Sequence, residues 1–187
     1  MNVIVDAIIY VLQKIKEADK IKIIKLIYLA DKCHLAKYGR TITEDEYYAM
    51  EKGPVGSMTK DILGFDEISI PKNILDTLSF YIEKVNNYTF EAKDGNGYIF
   101  NNLSETDKEV LDYVIEKFGN KTSKELSSYT HKYPEWYAYK ELFENSLTKR
   151  EHIKTKELLS KIKNDLLLCD IPDEHIQQTK DLLEGKF

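Results

Sequence analysis

The stretch "KLIYLADKCHLAKYGRTITEDEYYAMEKGPVGS", residues 25 to 57, changes its pattern of apolar residues twice, and each change marks a new element. Its first part continues a run whose apolar side chains recur at helical spacing: Ile23, Leu26, Ile27, Ala30 and Cys33. That spacing predicts a core helix from about Lys20 to Tyr38, with Asp19 as its N-cap. Gly39 follows where the C-terminus of a helix favours a left-handed residue.

The end of the stretch, "EKGPVGSMTK" at residues 51 to 60, admits two interpretations: a phosphate-binding loop, or a turn between two elements. A Walker loop needs the pattern G-x-x-x-x-G-K-[ST], because backbone N–H groups and a lysine must reach the phosphates together. Here Gly53 and Gly56 are three residues apart, and Ser57 occupies the position of the lysine. We therefore favour the turn, in which a strand over "EYYAM" is followed by a helix from Pro54 to about Leu63.

Several elements are predicted around this stretch. Apolar spacing predicts a helix over residues 3–16, and two capping boxes, Ser104 with Asp107 and Thr122 with Glu125, begin two more helices. The alternating segment "YTFEAKDGNGYIFN", residues 88–101, predicts a β-hairpin that turns at residues 94–97.

The C-terminal part is also predicted to be helical. Residues 155–168 carry leucines and isoleucines at helical spacing, and a last short helix is predicted after Pro172. The predicted fold class is therefore α+β and mostly helical, with a compact helical core, a small β-sheet or hairpin, and a helical C-terminal extension. We expect a domain over residues 1–150 and the extension over residues 151–187, packed on the domain or flanking it.

The charge balance argues against a general binder of nucleic acid. The 187 residues include 27 Lys and Arg against 32 Asp and Glu, which gives a net charge of −5. The first forty residues are basic instead, with Lys or Arg at positions 14, 16, 20, 22, 25, 32, 37 and 40. Two explanations stay open for them: solvated lysines on amphipathic helices, or a basic helical face.

Two features indicate a cytoplasmic protein without a membrane contact. Cys33 and Cys169 are far apart and neither belongs to a C-x-x-C pair, which favours a reducing compartment. The apolar run "VIVDAIIYVLQ", residues 3–13, follows no basic segment and contains Asp6. It is also too short to span a bilayer, so we interpret it as a buried helix rather than a signal peptide.

No pattern typical of catalysis or metal binding is complete. The segment "DGNGYI" resembles part of a calcium loop, but with Asp94 at the third position, Ala92 and Leu103 replace the first and twelfth ligands. Cys33 and His34 are neighbours on a predicted helix, where their side chains diverge by about 100°. The histidines lack the spacing of a zinc site. We therefore predict no catalytic residues, no cofactor and no metal, and a protein that is not an enzyme.

Tyrosine is frequent in this chain, with 13 tyrosines against 7 phenylalanines. Tyrosine is favoured at protein interfaces because its large apolar ring ends in a polar group. A general compositional bias explains the same count, and both explanations stay open. The densest cluster is "YTHKYPEWYAY", residues 129–139.

Two separated blocks of the sequence resemble a known family. "KLIYLADKCHLAKYGRTITEDEYYAMEKGPVGS" and "LSETDKEVLDYVIEKFGNKTSKELSSYTHKYPEW" are similar, in the same order, to the Panacea or SocA-like antitoxin domain. The resemblance covers roughly residues 20–140. One departure is that Glu135 separates Pro134 from Trp136, which are often adjacent in that family.

The resemblance implies a function in bacterial or phage-associated toxin–antitoxin systems. It implies that the chain binds a cognate toxin protein directly, and a neighbouring gene is the expected source of that toxin. Two alternatives stay open: a proteolytic adaptor that delivers the toxin to a host protease, and a nucleic-acid-binding autoregulator that uses the lysine-rich second helix. Nucleic acid is the less favoured partner because the apolar stripe occupies part of that helix.

The resemblance also carries over a set of motif residues, which either contact the partner or hold the fold. They are Lys25, Tyr28, His34, Tyr38, Gly39, Gly53, Pro54, Val55, Thr130, His131 and Trp136.

Overall fold

The structure, a computed structural model, describes residues 2–93 and 97–186. These residues form nine α-helices and two three-stranded antiparallel sheets, which confirms the predicted α+β, mostly helical fold. The helices are α1 Val3–Ile15, α2 Lys20–Tyr38, α3 Ser57–Ile62, α4 Lys72–Tyr81, α5 Glu105–Phe118, α6 Ser123–Thr130, α7 Pro134–Tyr137, α8 Lys140–Glu144 and α9 Asp173–Leu183. The strands are β1 Glu17–Asp19, β2 Tyr47–Met50, β3 Gly53–Gly56, β4 Ile82–Lys84, β5 Thr89–Ala92 and β6 Arg150–Ile153.

Helix α2 forms the centre of the fold and is buried on every side, as expected of a core helix. Fourteen of its nineteen residues are buried, and four of these carry polar side chains: Lys25, Asp31, Lys32 and His34. It packs against α1, α5, α6, α9 and β3. Both predicted ends are confirmed, because the Asp19 carboxylate accepts a hydrogen bond from the N–H of Lys22 (3.0 Å) and Gly39 ends the helix with φ 77°.

Two small sheets complete the fold. The first has the order β3-β2-β6, in which Tyr47 of β2 lies opposite Gly56 on one side and Ile153 on the other. Strand β2 confirms the strand predicted over "EYYAM". The second sheet has the order β1-β5-β4. Within the described residues, no helix combines the length and the apolar composition that crossing a bilayer requires.

The "GPVG" segment is a strand, and the prediction that a helix begins at Pro54 was wrong. The segment pairs with β2 as β3, and α3 starts only after it. Pro54 is tolerated because β3 is an edge strand, where a missing N–H need not interrupt the ladder. The carboxylate of Asp45, in the loop before β2, caps the N-terminus of α3. It accepts hydrogen bonds from the N–H groups of Met58 (2.9 Å) and Thr59 (2.8 Å).

The hairpin predicted over residues 88–101 was also wrong in its pairing. Its first strand is present as β5 but pairs with β1 and β4, while residues 97–100 belong to no strand. Residues 94–96 of the predicted turn lie outside the described residues. Tyr98 instead packs edge-to-face on Tyr81 at 4.5 Å and donates a hydrogen bond to the buried carboxylate of Asp6 at 2.6 Å. These tertiary contacts override the local alternation of apolar residues.

The helix predicted over residues 155–168 was wrong. A short 3-10 helix, Thr155–Leu159, is followed by non-helical chain through residue 168. The carboxylate of Asp165 accounts for this, because its Oδ1 accepts hydrogen bonds from Tyr129 Oη (3.0 Å), Tyr133 Oη (2.9 Å) and the N–H of Leu167 (2.9 Å). A side chain that caps its own following turn competes with the helix.

The end of the chain is held to the rest by pairing and packing. Strand β6 adds to β2, and α9, which confirms the short helix predicted after Pro172, packs against α2. The division at residue 150 into a domain and an extension stays a prediction.

We expect Ser104→Ala to lower the free energy of unfolding by about 1 kcal/mol. The predicted capping box is present: Ser104 Oγ accepts from the N–H of Asp107 at 3.2 Å, and Asp107 Oδ2 accepts from the N–H of Ser104 at 2.8 Å. Urea unfolding measures the change. The control is Ser128→Ala on an exposed position of α6, where alanine's helix propensity predicts no loss. Equal stability of the two variants would contradict the role of the cap.

Candidate partner-binding site

Six of the motif residues meet around the turn between β2 and β3, and we call them the Gly53 cluster. They are Lys25, Gly53, Pro54, Thr130, His131 and Trp136. Helix α2 supplies the lysine, the start of β3 supplies the glycine and proline, and the end of α6 with α7 supplies the rest. The cluster therefore joins three segments that are distant in sequence.

Gly53 lets these side chains approach the backbone. Its φ of +104° is a conformation that L-residues with a side chain rarely adopt. A Cβ at this position would lie 2.6 Å from Lys25 Nζ and 3.0 Å from Thr130 Oγ1. Both the backbone angle and the available space thus require glycine.

We expect Gly53→Ala to lower the free energy of unfolding by about 2 kcal/mol, the typical cost of a strained backbone conformation. The control is Gly97→Ala, because a Cβ at Gly97 meets no atom within 4 Å. Urea unfolding of both variants measures the difference. If the two glycines tolerate alanine equally well, the close approach at Gly53 has no energetic weight.

Lys25 is a buried amine with one hydrogen-bond acceptor in the described structure. Its Nζ donates to the carbonyl oxygen of Pro54 at 2.6 Å. Burial lowers the pKa of Lys25 to about 7, so protonated and neutral amine coexist near neutral pH. The side chain is 1 % exposed, which shields the amine from solvent.

His131 and Trp136 close the cluster as a stacked pair. Their rings are parallel with centroids 3.5 Å apart, and Trp136 Nε1 donates to the carbonyl oxygen of Met50 at 2.7 Å. Burial, and then the nearby charge of Lys25, lower the pKa of His131 to about 4. His131 is therefore neutral at pH 7, and its buried Nε2 has no hydrogen-bond partner within the described residues.

A second buried group, which we call the Lys32 network, lies about two turns further along α2. Lys32 Nζ donates to Glu135 Oε1 at 2.7 Å and to the carbonyl oxygen of Leu158 at 2.7 Å, and Tyr28 Oη donates to Glu135 Oε1 at 2.6 Å. Ser160 donates to the second oxygen of Glu135. Lys32 Nζ and Glu135 Oε1 form a buried ion pair at 2.7 Å. Burial lowers the pKa of Lys32, and the charge of Glu135 and its hydrogen bond oppose this.

The remaining polar motif residues, His34 and Tyr38, lie near the end of α2, about 14 Å and about 20 Å from Lys25 at a rise of about 1.5 Å per residue. His34 Nδ1 lies 2.8 Å from the carbonyl oxygen of Arg40, and its Nε2 lies 3.0 Å from Asp107 Oδ1. Burial lowers the pKa of His34 below its usual value. Tyr38 is 39 % exposed and donates to Glu109 Oε2 at 2.8 Å. This group fastens α2 to α5.

The loop after α2 is fixed by Asp31. Its carboxylate accepts hydrogen bonds from the N–H groups of Ile42 (2.8 Å) and Thr43 (3.0 Å) and from Tyr47 Oη (2.7 Å). Burial raises the pKa of Asp31 to about 6, and the hydrogen bonds oppose that rise, so the group is ionised at pH 7. Residues 40–47 are thus held in one conformation.

This loop forms one wall of a cleft of about 440 Å³. The opposite wall comes from β6, the 3-10 helix and α9. Four apolar side chains line the cleft: Leu35, Ile153, Leu158 and Leu183. Its polar lining comes chiefly from Arg40, Glu44, Asp45, Glu46 and His152. An apolar surface with a few polar groups is typical of a binding cleft.

In residues 2–93 and 97–186, no group of three or more His, Cys, Asp and Glu is placed to hold a metal ion. Burial raises the pKa of Cys33 to about 12, so its thiol stays protonated at neutral pH. The polar groups of the Lys32 network hydrogen-bond with one another, which makes the network a rigid part of the core.

Comparison with known proteins identifies the family to which this chain belongs. The family model described as "Antitoxin SocA-like, Panacea domain" matches residues 23–137, which is more than half of the chain. The protein belongs to the SocA-like Panacea family. No curated protein and no solved structure matches it. Membership suggests an antitoxin role and implies a toxin as the partner in general.

The Panacea domain buries most of the motif residues on which the resemblance was based. The buried members are Lys25, Tyr28, His34, Gly53, Pro54, Val55, Thr130 and Trp136, while His131 is half-buried. Tyr38 and Gly39 are exposed, and Gly39 lines the cleft. Whether any of them contacts the partner stays a prediction, but the exposed pair lies beside the cleft.

Sequence reasoning missed two residues of the Panacea domain, Lys32 and Glu135. A usable signal was present for the first, because Lys25, Tyr28 and Lys32 recur at i, i+3 and i+7 and therefore share one face of α2. Glu135 was noted only as a departure from the family pattern. Leu158, whose carbonyl accepts from Lys32, and Ser160, which donates to Glu135, lie beyond the matched residues, so the C-terminal segment contributes to this buried network.

Proposed function

We propose that this protein is an antitoxin that neutralises a cognate toxin, encoded by a neighbouring gene, by binding it directly. The observation that carries the proposal is the family match over residues 23–137. The burial of the motif residues supports it, because they maintain a rigid shape and leave recognition to the surface. We also propose that the protein acts without catalysis of its own.

The position of the lysines favours a protein partner over nucleic acid. Lys25 and Lys32, which belong to the basic second helix, are buried and hydrogen-bonded inside the domain. Lys37 pairs with Glu109 at 2.6 Å. Lysines that bind phosphate must reach solvent, so α2 provides little of the basic face that an autoregulator needs.

Co-expression with the neighbouring gene tests the proposal. We expect the protein to restore growth of cells that express the toxin and to co-purify with it at a fixed stoichiometry. No rescue and no co-purification would contradict the proposal. Toxin levels should be the same in hosts with and without the candidate protease, because direct binding does not require degradation. A fall that depends on the protease would favour the adaptor.

Titration of purified toxin separates binding from catalysis. Residual toxin activity is expected to fall in proportion to the added antitoxin and to vanish near equimolar amounts, since each bound molecule blocks one toxin. Complete inactivation by a small fraction of an equivalent would show turnover, and the protein would then be an enzyme.

A further inference from the structure

The cleft beside Gly39 adjoins an open edge of a β-sheet. In the order β3-β2-β6, strand β6 is an outer strand, and β2 is its one strand partner in the described residues. At the start of β6, the N–H and the carbonyl oxygen of Arg150 hydrogen-bond with Thr148 Oγ1. The other outer strand, β3, packs against α2 and α6. Arg150 and His152 of β6 are exposed, and His152 and Ile153 line the cleft. An exposed edge strand is a template for an added strand.

The charge at the cleft is acidic and incompletely balanced. Arg40 is paired with Asp107 at 2.7 Å, and Asp45 is occupied at the start of α3. Glu44 and Glu46 are exposed and form no ion pair within the described part of the chain. Two carboxylates that form no ion pair in the described residues therefore line a cleft of mixed apolar and polar character, and Glu46 Oε2 accepts a hydrogen bond from Tyr48 Oη at 3.2 Å.

The position of Glu46 places the two carboxylates close to the outer strand β6. Glu46 directly precedes Tyr47, which lies opposite Ile153 in the β2–β6 pair. A strand added to the outer edge of β6 would lie about 5 Å from β6. The side chains on one face of the added strand would point towards the cleft. A long basic side chain on that face is complementary to the carboxylates, and its aliphatic stem suits the apolar walls.

We propose that an extended polypeptide segment adds to the free edge of β6 and places a lysine or arginine between Glu44 and Glu46. This inference rests on the proposed function in one respect: the segment belongs to the toxin. The backbone pairing provides affinity that depends little on sequence, and the acidic cleft selects the basic side chain. Electrostatic attraction also speeds association at low salt.

Two synthetic peptides test the site without the toxin. Both have the sequence Thr-Val-X-Val-Thr between blocked ends, with arginine as X in one and glutamate in the other. Isothermal titration at low salt is expected to show at least tenfold tighter binding of the arginine peptide. Hydrogen exchange is expected to slow at the amides of residues 150–154 when that peptide binds. Equal affinities, protection elsewhere only, or no binding up to about 1 mM would overturn the proposal.

Charge-neutral variants supply the control. Glu44→Gln with Glu46→Gln is expected to reduce the preference for arginine to less than threefold. Glu67→Gln with Glu116→Gln makes the same change in net charge at exposed positions outside the cleft, and should keep the full preference. A similar loss in both double variants would show a general charge effect and would overturn the site.

Co-purification with the toxin distinguishes a wrong binding site from a wrong proposed function. If the neighbouring gene's product co-purifies equally with wild type and with the Glu44→Gln/Glu46→Gln variant, the site is wrong and the antitoxin function stands. If the arginine peptide binds as expected but that product does not co-purify with wild type, the site stands and the proposed function fails.

Discussion

Replacing Lys32 by methionine is expected to lower the free energy of unfolding by about 3–5 kcal/mol, because it leaves the Glu135 carboxylate buried without its cation. The side chains of Lys32 and Glu135 are both 0 % exposed, so water cannot replace the lost partner. The carbonyl oxygen of Leu158 also loses its hydrogen bond from Lys32. Urea unfolding, with the slope checked for two-state behaviour, measures the loss.

The control for this variant is Lys37→Met. Lys37 also forms an ion pair, with Glu109 at 2.6 Å, but both side chains are about half exposed, at 43 % and 56 %. An exposed pair contributes about 0–1 kcal/mol, so this variant should lose little. Equal losses in Lys32→Met and Lys37→Met would contradict the importance of burial.

A double variant separates the effect of the uncompensated charge on stability from the effect of the altered side-chain volume. Lys32→Met combined with Glu135→Leu removes both charges, and we expect it to be more stable than Lys32→Met alone. Replacement of a complete buried pair by apolar residues is often close to neutral. The hydroxyl groups of Tyr28 and Ser160 lose an acceptor in the double variant, which limits the recovery. A double variant less stable than the single one would refute the assignment of the loss to an uncompensated charge.

Lys25→Met is expected to change stability in the opposite direction, with a gain of about 3 kcal/mol at pH 7, because the burial penalty on the protonated amine exceeds the loss of its hydrogen bond to the carbonyl of Pro54. Lys25 lacks a carboxylate partner in the described structure, so its protonated form is destabilised by burial. Methionine has a similar length and fills the site without a charge. The control is Lys124→Met at an exposed position of α6, where little change is expected.

The pH dependence of this effect has a defined sign. Between a native pKa of about 7 and the ordinary value of 10.5, the unfolded chain holds a proton on Lys25 that the native protein lacks. The wild-type free energy of unfolding therefore rises with pH across this interval, by up to 1.36 kcal/mol per pH unit. Below pH 7 the penalty is complete and constant. Lys25→Met should remove this rise, and an unchanged slope would contradict the lowered pKa.

Two further measurements extend this prediction. The charge of Lys25 helps to lower the pKa of His131, so that pKa should rise towards its ordinary value in Lys25→Met, as followed by NMR of the imidazole. Neutralisation of the toxin by the same variant is informative because the variant is expected to be more stable than wild type. A loss of neutralisation could then not be attributed to unfolding, and Lys25 would have a role in recognition.

Local signals in the sequence predicted the elements whose ends depend on neighbouring residues. Both ends of α2, the capping boxes at Ser104 and Thr122, and the short helix after Pro172 were predicted correctly. A cap involves residues about three positions apart, so the sequence contains the complete interaction.

The elements that the sequence did not predict depend on distant partners. Strand β3 needs β2, and β6 has the polar sequence "REHI", which indicates a strand only when β2 is beside it. The non-helical chain around Asp165 is held by hydroxyl groups from α6 and the turn after it. Periodicity describes one segment at a time and does not show such contacts.

The candidate site was predicted only in part, for the same reason. The resemblance named the residues of the Gly53 cluster but not that they meet, and the lysines of α2 have the pattern of a solvated basic face. Their burial depends on Pro54, Glu135 and Leu158, which lie in other segments. The cleft is formed by residues from both ends of the chain, so no local pattern marks it.

The separation between Lys32 and its partners has a consequence during protein synthesis. Glu135 is 103 residues further along the chain, and the carbonyl of Leu158 is 126 residues further. A ribosome that adds about 5–20 residues per second needs about 5–25 s to translate that distance. Throughout that time neither Glu135 nor the carbonyl of Leu158 is available to Lys32. A nascent chain therefore cannot complete this core before its C-terminal segment has been synthesised.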